Sequence, residues 1–228
     1  MLSLSPVWTM IALDVIMVVY TMWVFSLKRP LGRLKYVIPA ALFSWLFLLH
    51  LGLSNQAIFS VEVSRVAFLL TIFAFVAVVG AILIGVPSLR SVLLGLDQRQ
   101  LMLLQGVRVF FGATFLMQAS IGALPQAFGV LDGYTHISAG FFGLVAAFLV
   151  AASIQSERRL WFANVFGLVD ILVVASSLAL ILLPEIGPHH SMMYAVFLPA
   201  PLWFWFHVVS MWKLLNVKPL ESGETQRV

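Results

Sequence analysis

Residues 101–124 read LMLLQGVRVFFGATFLMQASIGAL, and the reading of this stretch decides the fold. About 20 apolar residues cross a hydrocarbon core of about 30 Å, so the stretch is long enough to span a bilayer. Yet it carries Arg108 in its first half. A guanidinium keeps its proton and offers only donors, so it needs acceptors wherever it is buried. An arginine at membrane depth costs a few kcal/mol on insertion scales and therefore faces a bundle interior. The rest of the chain is accordingly read as helices that shelter this group.

Composition agrees. Of 228 residues, 62% are hydrophobic and 10% are charged, where a soluble domain carries roughly 25% charge. The apolar character runs along the whole length, so the chain reads as one membrane domain, residues 1–228. The formal charge is +4, but the positive residues lie in short loops, which is a membrane-orientation pattern and not a nucleic-acid surface. There is no cysteine, so disulfides, iron–sulfur clusters and thiolate zinc sites are excluded. The start, MLSLSPVWTM, lacks a basic n-region, so the first apolar segment is expected to stay as a span.

Seven spans are expected, at about 7–27, 36–53, 61–86, 101–124, 133–154, 160–183 and 192–215: an all-α, seven-transmembrane-helix bundle. Pro39 lies near the start of the second span and Pro87 ends the third. Residues 88–100 form the longest connection, read equally well as a short interfacial helix or as extensions of its neighbours. Pro125 and Gly129 are expected to break the chain, and Pro184, Gly187 and Pro188 to turn it. Pro199 and Pro201 lie inside the seventh span and predict a kink.

The loops set the orientation. Those after spans one, three and five, with the C-terminal tail, hold eleven of the thirteen Lys and Arg, including Lys28, Arg29, Arg33, Lys35, Arg158 and Arg159. The opposite loops hold Arg65. Positive residues stay inside, which places the N-terminus outside and the C-terminus inside. The expected location is a bacterial inner membrane or an equivalent one. Trp8, Trp23, Trp161 and Trp212 fall near span ends, as interface anchors do.

At about 1.5 Å per residue, Arg108, Asp170, Asp14 and His207 come out at similar depths. The expected centre is an Arg108–Asp170 pair with Asp14 and His207 nearby, extended by Gln105, Asn164 and Gln118. Such a pair either staples helices together or serves binding and the movement of an ion or proton. A second set is expected at the outer face: His50, Glu62, Arg65, Asp132, His136, Glu185, His189 and His190. Glu62 and Arg65 are spaced to pair at i, i+3. His50 and His136 are candidates for axial haem ligation, and with His189 and His190 for a metal. The run LWFWFH, Leu202 to His207, either packs in the bundle or walls a pocket beside His207.

Gly106, Gly112, Gly140, Gly143 and Gly167 mark close helix approach. The seventh span has no central lysine, only Lys213 at its end, so a retinal Schiff base is not expected. There is no glycine-rich phosphate loop, H-E-x-x-H or G-x-S-x-G, so nothing points to an enzyme. The leading expectation is binding or translocation of a small solute, ion or proton. A haem- or other cofactor-binding redox subunit is the alternative, followed by a non-catalytic subunit that acts through a membrane-protein partner or as a homo-oligomer.

Overall fold

The computed structural model describes residues 5–28, 30–152 and 157–216. Arg29, Ser156 and the tail residues Lys218 and Arg227 lie outside them. Among the described residues there is no strand, and seven helical stretches are long and apolar enough to cross a membrane. The first three are α1 (Pro6–Ser26), α2 (Leu34–Ser54) and α3 (Arg65–Gly85). Pro87 does end the third: Val86 is extended (ψ 112°), as a residue before proline must be. The connection is a separate nine-residue helix, α4 (Pro87–Gly95). The carbonyls of Leu94 and Leu96 at its end accept from Lys213.

The fourth stretch, Gln98–Ser120, begins three residues before the expected position. A capping box starts it. Asp97 Oδ1 accepts the Gln100 N–H at 2.7 Å, and Gln100 Oε1 accepts the Asp97 N–H at 3.2 Å. It is also not one helix. It divides into α5 (Gln98–Leu103) and α6 (Arg108–Ser120). Between them Gln105, Gly106 and Arg108 bond three residues back, a tightened turn. The Leu103 carbonyl, which takes the Gly106 N–H in this turn, also accepts from Tyr20 Oη at 2.8 Å.

The fifth stretch, α7 (Gln126–Ala151), starts seven residues earlier than expected. Pro125 precedes it as the capping residue, and Gly129 is inside the helix instead of breaking it. The reason is packing: a Cβ on Gly129 would overlap Ala119 of α6. Gly129, Gly133, His136, Gly140, Gly143 and Ala147 follow one another at alternating steps of four and three, which makes a single stripe along α7. Built onto Gly112 of α6, a Cβ would lie 2.8 Å from the Ile137 backbone nitrogen; on Gly140, 2.8 Å from that of Val109. The two backbones touch, which only small residues permit.

The sixth stretch consists of α8 (Glu157–Ser177), a wide π-turn at Leu178–Leu182, and α9 (Leu183–Ile186). Pro184 does not end it. The wide turn absorbs a residue that has no N–H to give, and the turn comes at Gly187 (φ 76°). The seventh stretch breaks at Leu198 into α10 (Met192–Phe197) and α11 (Pro199–Asn216). The Phe197 carbonyl at this break accepts from Trp45 Nε1 at 2.7 Å. α10 is buried along its length and α11 packs against α3, α5 and α8. α1 to α3 instead turn large apolar side chains outward, among them Phe47, Val66 and Leu70.

Candidate functional site

Arg108 is the first residue after the tightened turn and is fully buried. One guanidinium nitrogen forms an ion pair with Asp170 of α8. The same group donates to the Gly167 carbonyl at 3.3 Å and to Gln105 Oε1 at 3.4 Å. Its carbon stands 5.3 Å from the Trp203 ring centroid, a cation–π contact in desolvated surroundings. Gly167 lies three residues before Asp170, on the same face of α8. A Cβ there would overlap the His207 ring, so glycine makes room for the imidazole and presents its carbonyl to Arg108.

From Arg108 a chain of hydrogen bonds runs back to the start of α5, and each donor in it can be assigned. The guanidinium has only donors, so His207 Nε2 accepts from it at 3.1 Å. His207 Nδ1 therefore carries the proton and donates to Asn164 Oδ1 at 3.0 Å. Asn164 Nδ2 donates to Ser210 Oγ at 2.8 Å, and Ser210 donates to Gln98 Oε1 at 2.6 Å. The expected group Arg108, Asp170, His207, Gln105 and Asn164 is thus brought together, with Ser210, Gln98 and Trp203 added by the tertiary fold.

The largest addition is His136. A fifth span that begins at residue 133, as the sequence suggests, would put it at the outer face. With the helix starting at Gln126, His136 lies three turns in. Its Nδ1 contacts the Asp170 carboxylate at 2.9 Å, and its ring packs against Phe115 and Trp203 at centroid distances of 5.1 and 5.8 Å. The glycine stripe was the available signal, since His136 is its one large member. Asp132, one turn away, is likewise buried instead of lying at a helix mouth. It accepts from Ser177 Oγ at 2.6 Å, and its other oxygen has no partner among the described residues.

Other expected members do not join. Asp14 is fully buried, but it makes no ion pair with Arg108, and neither of its oxygens has a partner among the described residues. Gln118 belongs to a separate tie: it accepts from Ser191 Oγ at 3.1 Å and donates to the Pro6 carbonyl at 3.4 Å. Glu62 and Arg65 form no ion pair. Ser64 caps α3, so Glu62 precedes the helix and does not share a turn with Arg65.

The remaining histidines serve local contacts. His50 Nδ1 meets Tyr194 Oη at 2.7 Å. His189 Nε2 accepts the Phe59 N–H and His190 Nδ1 the Met192 N–H, both at 3.3 Å. Burial lowers His190 to about 3, with its neighbour His189 adding to the effect. Burial also lowers His189. No group of three or more His, Asp or Glu among the described residues is placed to hold a metal ion. At the α5 end, Lys28 pairs with Asp97. Burial pushes the Asp97 carboxyl up, but the Lys28 ammonium and the Gln100 N–H outweigh it and hold it below its usual value.

A family model described as a domain of unknown function, DUF8737, matches residues 63–215. The chain belongs to that family. The matched region holds every member of the Arg108 network, while Asp14 and His50 lie before it. No curated protein and no solved structure matches the chain. The centre of this chain combines a balanced charge pair, an imidazole on the far side of that pair, and a helix interruption directly before Arg108; α8 and the seventh stretch are interrupted as well.

Proposed function

We propose that this chain is a multi-pass protein of a bacterial inner membrane or an equivalent one, N-terminus outside and C-terminus inside, that binds a small molecule at its Arg108–Asp170–His136 centre. The exposed apolar faces of α1 to α3 support the membrane reading, because surfaces of that extent are unfavourable in water. The loop charges support the orientation.

The observation that carries the binding reading is His136. It holds the carboxylate of a pair that Arg108 already balances, and it reaches beyond that pair. A staple between α6 and α8 has no use for it. Proton conduction along the chain toward α5 is a weaker reading. The chain passes through a guanidinium that does not deprotonate and through the amide of Asn164, and neither hands a proton on. The interrupted helices support a site that changes shape, since broken helices border ligand sites in membrane transporters. Translocation would extend the same centre.

The test is to extract small molecules from the purified protein and from the double variant Arg108→Gln/Asp170→Asn, with helical content and size checked first. A compound held by the native chain and lost from a folded variant supports the reading. The same load, or none, in both overturns it.

A further inference from the structure

A cavity of about 220 Å³ adjoins the centre on the side of His136. Its walls come from α3, α8, α10 and α11 and are almost wholly apolar, with Val76, Ala175, Val196 and Trp203 among them. An apolar cavity of about 150 Å³ accepts benzene, so this one has room for a ring with a short substituent. It reaches the outside of the bundle: Phe73 and Leu172, 43% and 50% exposed, also line it. That mouth lies along helix sides and not at a loop end, so it faces lipid in the proposed arrangement.

His136 is the ionisable side chain that lines this space. The residue is 4% exposed. Its Nδ1 is engaged by Asp170, and Nε2 has no hydrogen-bond partner among the described residues yet is not sealed off from open space. Two indoles share the wall: the Trp205 N–H is already given to the Val76 carbonyl at 2.9 Å, and the Trp203 ring lies against the Arg108 guanidinium. The proton of the neutral His136 ring is on Nδ1, facing the carboxylate, which leaves a lone pair on Nε2. Arg108 already supplies the positive charge that balances Asp170, and Asp132, the other carboxylate nearby, is bonded to Ser177 and not to His136, so His136 is read as the neutral ring. The free group is therefore an acceptor. It calls for a donor.

We infer that this cavity binds a lipophilic molecule bearing a hydroxyl group, with the hydroxyl donating to His136 Nε2 and the apolar body filling the space between α3, α8 and α11. Entry is sideways, between Phe73 and Leu172, and any longer tail stays in the bilayer. The inference rests on the binding reading above and adds the class of ligand.

Three probes of matched shape test it: 4-propylphenol, 4-propylanisole and propylbenzene, titrated against the full chain in detergent with ligand-induced thermal stabilisation as the readout. The phenol is expected to bind about tenfold more tightly than either control, the value of one hydrogen bond to a buried acceptor. In His136→Phe the three should bind alike. Ala77→Phe, which adds bulk to an exposed position on the cavity wall, should weaken all three. Equal binding of phenol and anisole by the native chain, or a preference that survives in His136→Phe, overturns the inference. No saturable binding of any probe overturns it as well. If the probes fail while the native chain still carries a compound lost from Arg108→Gln/Asp170→Asn, only the ligand class is wrong and the binding reading stands.

Discussion

Replacing Asp170 by asparagine keeps the shape of the centre and removes its negative charge. Arg108 is then left fully buried with neutral acceptors: the Gly167 carbonyl, Gln105 Oε1 and His207 Nε2. Neutral polar contacts between membrane helices are worth about 0.6 kcal/mol each. Breaking a buried ion pair from one side costs about 3–5 kcal/mol, because the surviving charge loses its counter-ion. The two figures separate a neutral staple from a charged centre. For a chain of this size, about 1 kcal/mol moves the midpoint by about 2–4 °C, so Asp170→Asn should lower Tm by about 6–20 °C. Arg108→Gln falls in the same range, eased by the His136 bond to Asp170. The double variant leaves two neutral amides facing each other and should lose less than about 2 kcal/mol, a coupling of about 4 kcal/mol or more. The assay is unfolding in mixed micelles followed by circular dichroism. A loss under about 1 kcal/mol in Asp170→Asn, or single losses that simply add in the double, refutes the view of Arg108 as a buried charge held by one carboxylate.

Gly167→Ala should destabilise by about 1–3 kcal/mol, since the new methyl overlaps His207 and the ring must leave Arg108 or Asn164. His207→Ala should relieve part of that loss in the double variant, which thermal unfolding will show. His190 has a folded pKa of about 3, below its usual value. The unfolded chain therefore takes up the proton first: stability is full above about pH 6.5 and falls as pH drops from there toward 3. From pH 7 to pH 5 the loss is at most about 2 kcal/mol, and His190→Gln should flatten the slope of Tm against pH. Because the chain has no cysteine, single cysteines at Asn55 and Ser88 report orientation directly. The first should react with an impermeant maleimide added to intact cells and the second only after lysis; the reverse pattern inverts the proposed topology.

The sequence determined what depends on local, additive chemistry. Hydropathy summed over about 20 residues marks seven stretches whatever they pack against. The isolation of Arg108 in apolar surroundings was enough to predict a buried partner, and Asp170 was the carboxylate at matching depth.

What the sequence left open depends on which helices meet. His136 was misplaced because the start of α7 is set by a glycine seam with α6, not by the Pro-Gln-Ala-Phe-Gly run that reads as a loop. The break before Arg108 is stabilised by a carbonyl bond to Tyr20, 83 residues away. Asp14 counts out at a depth similar to that of Arg108 and yet makes no pair with it. Depth follows from counting residues along one helix. Contact requires two helices to present the same face to each other, and that is decided when the backbones close on their small residues.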